Sequence, residues 1–240
     1  MTNTPYSDDF FASNKDGSKV AAERVMPWLI ERLEPRSVVD FGCGVAAWLE
    51  TARRHGISDL LGIEGPWIDG KVPTDLPILL RDLEQPIVLD RTFDLALCLE
   101  VAEHLPADRS AGLVQDLTRA APRVLFSAAV PGQIGVRHIN ERWPSFWDRL
   151  FAEQGFECLD VVRPVFWNDS VVPCWYRQNI VLYVREDIAE TTATRFGMSL
   201  PTTLRDIVHP EIMAYYAKNY YRASFRFLAR LVLNRLGFSR

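Results

Sequence analysis

Two carboxylates and an imidazole stand close together in the segment LCLEVAEHLP. Glu100, Glu103 and His104 have the spacings i, i+3 and i+4, so on a helical turn the three side chains face the same side. Such a group can hold a divalent cation, and its imidazole can take a proton from a reacting hydroxyl. The alternative is that this segment is only the beginning of a helix beside a pocket.

A second histidine, His138, follows in the run HINERWPSFW. It comes just after an expected strand that neighbours the strand before Glu100, so it adds a fourth ligand to Glu100, Glu103 and His104. Two imidazoles favour Mn²⁺, Fe²⁺ or Zn²⁺ over Mg²⁺, because nitrogen is a softer ligand than oxygen. An ordinary hydrogen bond within a loop is the alternative role for His138. We predict His104, His138 and Glu103 as the catalytic residues, with either histidine as the base if no metal is bound.

A glycine-rich turn lies between Val38 and Leu49, in VVDFGCGVAAWL. Apolar residues precede the turn and helix-forming residues follow it, which predicts a strand, a tight turn and the start of a helix. In that arrangement backbone N–H groups and the positive end of the helix face a ligand. The dinucleotide pattern G-x-G-x-x-G is absent, because Ala47 stands where its last glycine would be.

The pattern D-x-G-x-G-x-A, which begins at Asp40, resembles the first motif of class I S-adenosylmethionine (SAM) methyltransferases, with Ala46 in place of the usual third glycine. The resemblance implies that Gly42 and Gly44 let the backbone approach the amino-acid part of SAM, so a side chain at either would fill the cofactor's space. Asp40 is expected to order the turn. By itself, the turn also fits an ordinary strand-to-helix connection in another α/β protein.

Further acids follow the next two expected strands. Glu64 comes about twenty residues after the glycine turn, where such folds place an acid on the ribose hydroxyls. Asp82 matches the family position that binds the adenine amino group, with the Leu83 backbone beside it. The alternatives are a solvated loop carboxylate for Glu64 and a turn-capping role for Asp82. Glu100 is also counted among the residues expected around the cofactor.

Strand and helix patterns alternate along the chain and predict an α/β fold. We expect a Rossmann-like, seven-stranded class I methyltransferase sheet with helices on both faces and a C-terminal helical tail. The expected strands are Ser37–Phe41, Leu60–Ile63, Pro77–Leu80, Phe93–Leu99, Arg123–Val130, Phe156–Val162 and Ile180–Val184.

Three domains follow from this pattern. We expect an N-terminal helical cap or lid over residues 1–36, a SAM-binding domain over 37–186 and a helical extension over 187–240. The cap helix is expected to begin near Asp16-Gly17-Ser18 and to end before Pro35.

Composition limits the possible partners. The chain has 240 residues, 48% of them hydrophobic, and a formal net charge of −4, which argues against nucleic acid as a partner. The four cysteines have no C-x-x-C spacing, so we expect reduced thiols. The sequence shows no signal peptide and no 18-residue apolar span. We therefore expect a cytoplasmic protein.

The charge is unevenly distributed. Residues 211–240 carry six basic residues and one acid, a net charge of +5, against about −9 for the remainder. An apolar stripe runs beside a row of arginines at every fourth position, which predicts a basic amphipathic helix. This helix would contact a membrane surface or serve in homodimerisation or capping, and we favour the second group of roles. The stripe is Tyr221, Phe225, Leu228 and Val232, and the row is Arg222, Arg226 and Arg230.

Longer motifs relate the sequence to particular groups of methyltransferases. The pattern E-x-x-E-H followed by a histidine is similar to that of the small-RNA 3′-terminal 2′-O-methyltransferases, which implies a Mg²⁺ or Mn²⁺ site at Glu100, Glu103, His104 and His138. Its E-x-x-E-H half is also similar to the ubiquinone-pathway catechol O-methyltransferases. Over residues 5–185, the segments SAAVPGQ, HINERWPSFW and WYRQN resemble an uncharacterised bacterial group of SAM methyltransferases associated with glycan biosynthesis.

These observations predict a SAM-dependent O-methyltransferase that acts on a hydroxyl of a sugar or glycoconjugate, with assistance from a divalent metal. The alternatives are a metal-free methyltransferase of phenolic or amine small molecules and a non-catalytic SAM-binding module. Aromatic and polar residues after the fifth and sixth strands are expected to form the acceptor pocket, or else a lid over the sheet edge. They are Asn140, Glu141, Trp143, Trp147, Trp167, Trp175, Tyr176, Arg177 and Gln178.

Overall fold

The computed structural model describes residues 8–68, 75–133, 135–203 and 206–218, with side chains from residue 17 onward. The strands are β1 (Ser37–Phe41), β2 (Asp59–Glu64), β3 (Ile78–Leu80), β4 (Leu95–Leu99), β5 (Arg123–Ser127), β6 (Phe156–Leu159) and β7 (Val181–Arg185). The helices are α1 (Asp8–Leu33), α2 (Ala47–Arg54), α3 (Ser110–Ala120), α4 (Pro144–Ala152), α5 (Val162–Phe166), α6 (Cys174–Asn179), α7 (Glu186–Arg195) and α8 (residues 210–218).

The seven strands form one sheet in the order β3-β2-β1-β4-β5-β7-β6. Strands β1 to β5 are parallel, and β7 runs antiparallel to both of its neighbours. The carboxyl ends of β1, β2, β4 and β5 therefore meet at one edge of the sheet, where ligands bind in such folds. The prediction of a seven-stranded, Rossmann-like sheet is confirmed.

Side chains alternate between two apolar layers, as the pleat of a strand requires. On one face, Val38 and Leu97 pack with helices α1 and α2. On the other, Val39 and Phe126 pack with α3 and α4. Because both faces of the central strands are buried, their sequences are continuously apolar rather than alternating.

Several predicted element boundaries are wrong. Strand β4 begins at Leu95 rather than Phe93, and β6 ends at Leu159 rather than Val162, which belongs to α5. Helix α1 begins at Asp8 and continues through Gly17 instead of beginning after it; a Cβ on Gly17 would lie 3.3 Å from the Trp175 ring, so this glycine serves helix packing and not a cap. Strand β5 stops at Ser127 rather than Val130, because Ser127 already pairs with Leu99, the last residue of β4.

The remaining expectations concern the termini and the cysteines. None of the described helices is long and apolar enough to cross a membrane. All four cysteines are free thiols. The amphipathic stripe predicted between residues 221 and 232 lies outside the described residues.

Candidate active site

The two glycines of the turn after β1 have different surroundings. Both have a positive φ, +77° at Gly42 and +52° at Gly44, a conformation that is costly for residues with a Cβ. A Cβ on Gly42 would lie 2.5 Å from a methyl group of Val101, so the protein itself fills that space. A Cβ on Gly44 would meet no atom within 4 Å. An added side chain would therefore meet Val101 at Gly42 and open space at Gly44, and the contact of both glycines with SAM stays a prediction.

Glu64, at the end of β2, points back towards this turn. Its Oε2 accepts a hydrogen bond from the Gly44 N–H at 2.9 Å. Its Oε1 accepts one from the Gly65 N–H at 2.9 Å and one from the Trp67 indole N–H at 3.0 Å. A carboxylate offers about four acceptor positions, so about one remains on Oε2 for a ribose hydroxyl.

Asp40 is buried inside β1, and its Oδ2 has no hydrogen-bond partner among the described residues. Burial and, to a smaller extent, the nearby charge of Glu64 raise the pKa of Asp40 to about 8. A buried, unpartnered carboxyl of this kind fits a cationic ligand. Together with the open space at Gly44 and the free position on Glu64, it fits the binding of SAM, which carries a sulfonium and an ammonium group.

Asp82 is exposed and caps a turn, since its Oδ1 accepts the Glu84 N–H at 2.9 Å. The turn-capping alternative is therefore realised, and adenine binding by Asp82 stays a prediction. Leu83 beside it is buried, and its carbonyl accepts a hydrogen bond from Arg109 Nε at 2.9 Å. Arg109 also forms a buried ion pair with Asp116 in α3. This arginine, which sequence reasoning missed, fixes the Asp82–Leu83 loop against the body of the protein.

Glu103, His104 and His138 come together where β4 and β5 end. One ligand atom from each lies within 4.8 Å of the others. The first two belong to a short 3₁₀ turn, Ala102–His104, and the two imidazole rings are 5.0 Å apart between centroids. The structure thus brings together three of the four predicted ligands.

Glu100 is not one of these three ligands, although its carboxyl lies close to that of Glu103. Glu100 precedes the Ala102–His104 turn and has a left-handed φ of +56°. The expectation that Glu100, Glu103 and His104 share one helical face is therefore wrong. The Glu100 carboxylate instead accepts hydrogen bonds from Gln133 Nε2 at 2.9 Å and Asn179 Nδ2 at 3.1 Å. Sequence reasoning missed Gln133 and Asn179, although the segments SAAVPGQ and WYRQN contain them.

Burial controls the charge of the cluster. Glu103 is fully buried, with the Ala129 backbone and the Glu100 carboxyl nearby, and neither of its carboxyl oxygens makes a hydrogen bond of good geometry with a described residue. Burial, followed by the nearby charge of Glu100, raises the pKa of Glu103 well above its usual value. Burial, followed by the charge of His138, lowers the pKa of His104 to about 4. Without a cation, burial therefore favours the neutral forms of Glu103 and His104.

The donor set fits a divalent cation. One carboxylate and two neutral imidazoles are the ligands that Zn²⁺, Mn²⁺ and Fe²⁺ accept. Three protein ligands leave coordination positions open for a substrate. A cation would also satisfy the unpartnered oxygens of Glu103, whose burial is otherwise costly.

Backbone hydrogen bonds attach the loop that carries His138 to Glu103. The N–H groups of Ile139 and Asn140 both bond to the Glu103 carbonyl, at 2.9 and 3.0 Å. His138 Nδ1 lies 3.1 Å from Glu141 Oε1. A Cβ on Gly135 would collide with Nε2 of His138, so the imidazole packs where only a glycine leaves room for it.

The predicted acceptor residues divide into two groups. Four of them are buried, and their place in an acceptor pocket stays a prediction: Trp147, Arg177, Gln178 and Asn140. Trp147 packs against Phe126 in the core, because α4 turns Trp147 inward and leaves Phe146 only partly buried. Tyr176 is also buried, against Trp48, and Trp167 packs on His209. Trp143 and Trp175 keep 38% of their surface exposed.

Helix α8 brings a residue that sequence reasoning missed. The Tyr216 hydroxyl is buried near Gly132 and has no hydrogen-bond partner among the described residues. Burial, followed by the charge of Glu141, raises the pKa of Tyr216 to about 12. Arg177 anchors this helix through a 2.8 Å ion pair with Glu211. No local sequence signal connects residue 216 with residue 132.

The sheet, the glycine turn and the acids at its carboxyl edge together define a class I SAM-dependent methyltransferase. Residues 14–161 match the family described as "Methyltransferase domain", and the chain belongs to that family. It is therefore a methyltransferase enzyme, with SAM as its methyl donor. No curated protein matches the sequence.

Solved structures of methyltransferases share this fold. KedS8, a sugar N-methyltransferase from Streptoalloteichus sp., is 19% identical with a TM-score of 0.58, and the match covers 74% of this chain and 92% of KedS8. SAM-bound CalS10, an amino pentose methyltransferase from Micromonospora echinaspora, is 14% identical with a TM-score of 0.57, covering 75% and 98%. Magnesium protoporphyrin IX methyltransferase from Synechocystis, with bound SAH, is 19% identical with a TM-score of 0.51, covering 72% and 87%.

Proposed function

We propose that this enzyme transfers the methyl group of SAM to a hydroxyl of a sugar or glycoconjugate, assisted by a divalent cation at Glu103, His104 and His138. The observation that carries the proposal is the convergence of these three ligands beside the glycine turn. Val101, which packs on Gly42, belongs to the same segment as Glu103, so the methyl donor and the cation would be neighbours.

The binding residues have separate tasks. When bound, SAM supplies an electrophilic methyl group on its sulfonium sulfur. Glu64 would accept a ribose hydroxyl, Asp40 would balance positive charge, and Gly44 would leave room for the amino-acid part. Asp82 and Leu83 would contact adenine. In this way the chain fixes the donor so that one face of the methyl group remains open to the acceptor.

The catalytic residues prepare the acceptor. When bound, a divalent cation lowers the pKa of a coordinated hydroxyl. His138 would donate from Nδ1 to Glu141, which leaves a lone pair on Nε2 to bind the cation or to accept the hydroxyl proton. His104 is neutral at pH 7 because its pKa lies near 4, so it can also act as a ligand or base.

A metal-free enzyme acting on an amine is the second candidate. KedS8 is described as a sugar N-methyltransferase and CalS10 as an amino pentose methyltransferase, which supports a sugar acceptor and leaves open which atom receives the methyl group. A neutral amine needs no cation to become a nucleophile, so His138 or His104 alone would take the proton.

Mn²⁺ binding and methyl transfer test the proposal together. Mn²⁺ affinity is measured by electron paramagnetic resonance on the wild type, Glu103→Gln, His138→Ala and the exposed control Glu190→Gln. We expect about a tenfold or larger loss of affinity in the first two variants only. Transfer from labelled SAM to sugar acceptors should fall in EDTA and return with Mn²⁺. Full activity in EDTA with amine acceptors alone would instead support the second candidate.

A Glu100→Gln variant distinguishes the two ligand sets. The three-residue cluster predicts no loss of Mn²⁺ affinity, because Glu100 is bound by Gln133 and Asn179 and its charge disfavours ionisation of the ligand Glu103. Four-residue ligation predicts a loss as large as that of Glu103→Gln.

A further inference from the structure

A cleft of about 320 Å³ lies on the outer side of the His138 loop, at the beginning of α4. Glu141 forms part of its wall and also contacts His138 Nδ1 at 3.1 Å. The cleft is therefore one side chain away from the proposed site of methyl transfer. An acceptor larger than a single hydroxyl-bearing group would extend into it.

Two arginines line this cleft, and both are placed over one aromatic ring. Arg142 Nε donates to the buried Asn140 Oδ1 at 2.9 Å, and its guanidinium lies 5.0 Å from the centre of the Phe146 ring. The Arg149 guanidinium lies 5.6 Å from the same ring. Cation–π contact and the bond to Asn140 hold these groups in position before a ligand arrives, which lowers the entropy cost of binding.

The positive charge of these arginines is hardly neutralised by the protein. No carboxylate in the described part of the chain forms an ion pair with Arg142, and Arg149 has Glu153 at 4.0 Å, the limit for an ion pair. Such an exposed pair contributes little.

The carboxylates around the cleft accept hydrogen bonds from groups other than the two arginines. Glu141 accepts the Gly132 N–H at 2.6 Å and contacts His138. Asp206 accepts hydrogen bonds from the backbone and the hydroxyl of Ser145. Both carboxylates keep their negative charge, but neither forms an ion pair with Arg142 or Arg149 in the described part of the chain. The two guanidinium groups can therefore bind a ligand, and guanidinium suits carboxylate and phosphate.

An aromatic surface completes the cleft. Trp143 lines it and keeps 38% of its surface exposed. Exposed indole rings pack well against the apolar face of a sugar ring, while polar groups at the rim fix its orientation.

We propose that this cleft binds an anionic group carried by the sugar acceptor, a carboxylate or a phosphate, between Arg142 and Arg149, with Trp143 against the sugar ring. The inference deepens the proposed function and rests on it, since it takes the acceptor to be a carbohydrate. It makes the acceptor an acidic sugar rather than a neutral one.

Saturation-transfer NMR with the full chain tests the inference, because it detects weak binding and requires no methyl transfer. The probes are glucuronic acid, glucose 6-phosphate and neutral methyl glucoside at equal ionic strength. We expect at least one anionic probe to bind about tenfold more tightly than the glucoside. The stronger of the two anionic probes identifies carboxylate or phosphate as the group bound.

Arginine variants locate the binding site. Arg149→Gln and the double variant Arg142→Gln/Arg149→Gln should lose that preference, whereas Arg119→Gln, an exposed arginine on α3 outside the cleft, should keep it. Thermal unfolding checks that the double variant is folded. If it is not, the single variant Arg149→Gln tests the loss of preference, because the Arg149 side chain is exposed. Equal binding of all three sugars, no binding of either anionic sugar, or an unchanged preference in the arginine variants would overturn the inference.

The two proposals fail in different ways. If an acidic sugar binds through the arginines but never receives a methyl group, the cleft assignment stands and the proposed O-methylation fails. If only neutral sugars are methylated and none of the anionic probes binds, the proposed function stands and the cleft assignment fails.

Discussion

Glu100 shows how one backbone angle changes the task of a side chain. Its spacing from Glu103 and His104 suits a shared helical face, but a left-handed φ of +56° separates it from the turn that follows. Gln133 and Asn179 then provide donors for both carboxylate oxygens. We expect Glu100 to hold the side chains of Gln133 and Asn179 in position rather than to bind a cation.

Asp40 makes the stability of the ligand-free enzyme depend on pH. Its pKa rises from 3.8 to about 8 on folding, so between these values the folded state binds more protons than the unfolded state. The free energy of unfolding therefore falls as pH rises through this window. Relative to Asp40→Asn, we expect the wild type to lose up to about 1 kcal/mol per pH unit between pH 5 and 8, measured by urea unfolding.

The Asp40→Asn variant itself provides the reference, because its amide does not titrate while the other acids remain. A wild-type minus variant difference that stays constant from pH 5 to pH 8 would show that Asp40 is ionised throughout. Below pH 3.8 the difference should level off, since the carboxyl is then protonated in both states.

At the scale of the structural elements, substitutions at the two glycines of the turn after β1 should have different effects, one on stability and the other on SAM binding. Gly42→Ala adds a methyl group 2.5 Å from Val101 at a positive φ, so we expect a loss of about 2–4 kcal/mol of stability. Gly44→Ala meets no neighbour and should cost about 1 kcal/mol for its φ alone. Its main effect should be on SAM, with about a tenfold or larger loss of affinity in isothermal titration.

Val101→Ala is the matched control for this pair. It removes the methyl groups that Gly42→Ala would meet, so the double variant should regain part of the lost stability. An unchanged SAM affinity in Gly44→Ala would mean that the cofactor does not lie over this glycine, whereas a large loss of stability would mean that the space is filled.

At the scale of the whole molecule, the C-terminal segment packs on its own chain as far as the structure describes it. Arg177 holds Glu211, Ile212 is buried, and Tyr216 lies against Gly132. This packing fits a capping role for residues 210–218, whereas the predicted stripe at 221–232 lies outside the described residues. We expect the full chain and a chain ending at residue 218 to float equally with anionic liposomes. Flotation of the full chain alone would support membrane contact.

The sequence by itself determined the fold and the cofactor. A parallel sheet buried on both faces requires long apolar strands, and a tight turn that opens a helix requires glycine, so both leave local patterns. Glu64 was predicted because it follows the next strand in such a fold, and its contact with ribose stays a prediction. The three-domain division also came from sequence patterns and stays a prediction.

Only the tertiary structure decided which residues meet. Glu103 and His138 are far apart in the chain, and Arg109, Gln133, Asn179 and Tyr216 act through partners between 7 and 84 residues away. Whether α4 turns Trp147 or Phe146 inward depends on what packs against the helix. Local periodicity describes one element at a time, whereas contacts between elements and the burial that shifts a pKa arise only when the elements are assembled.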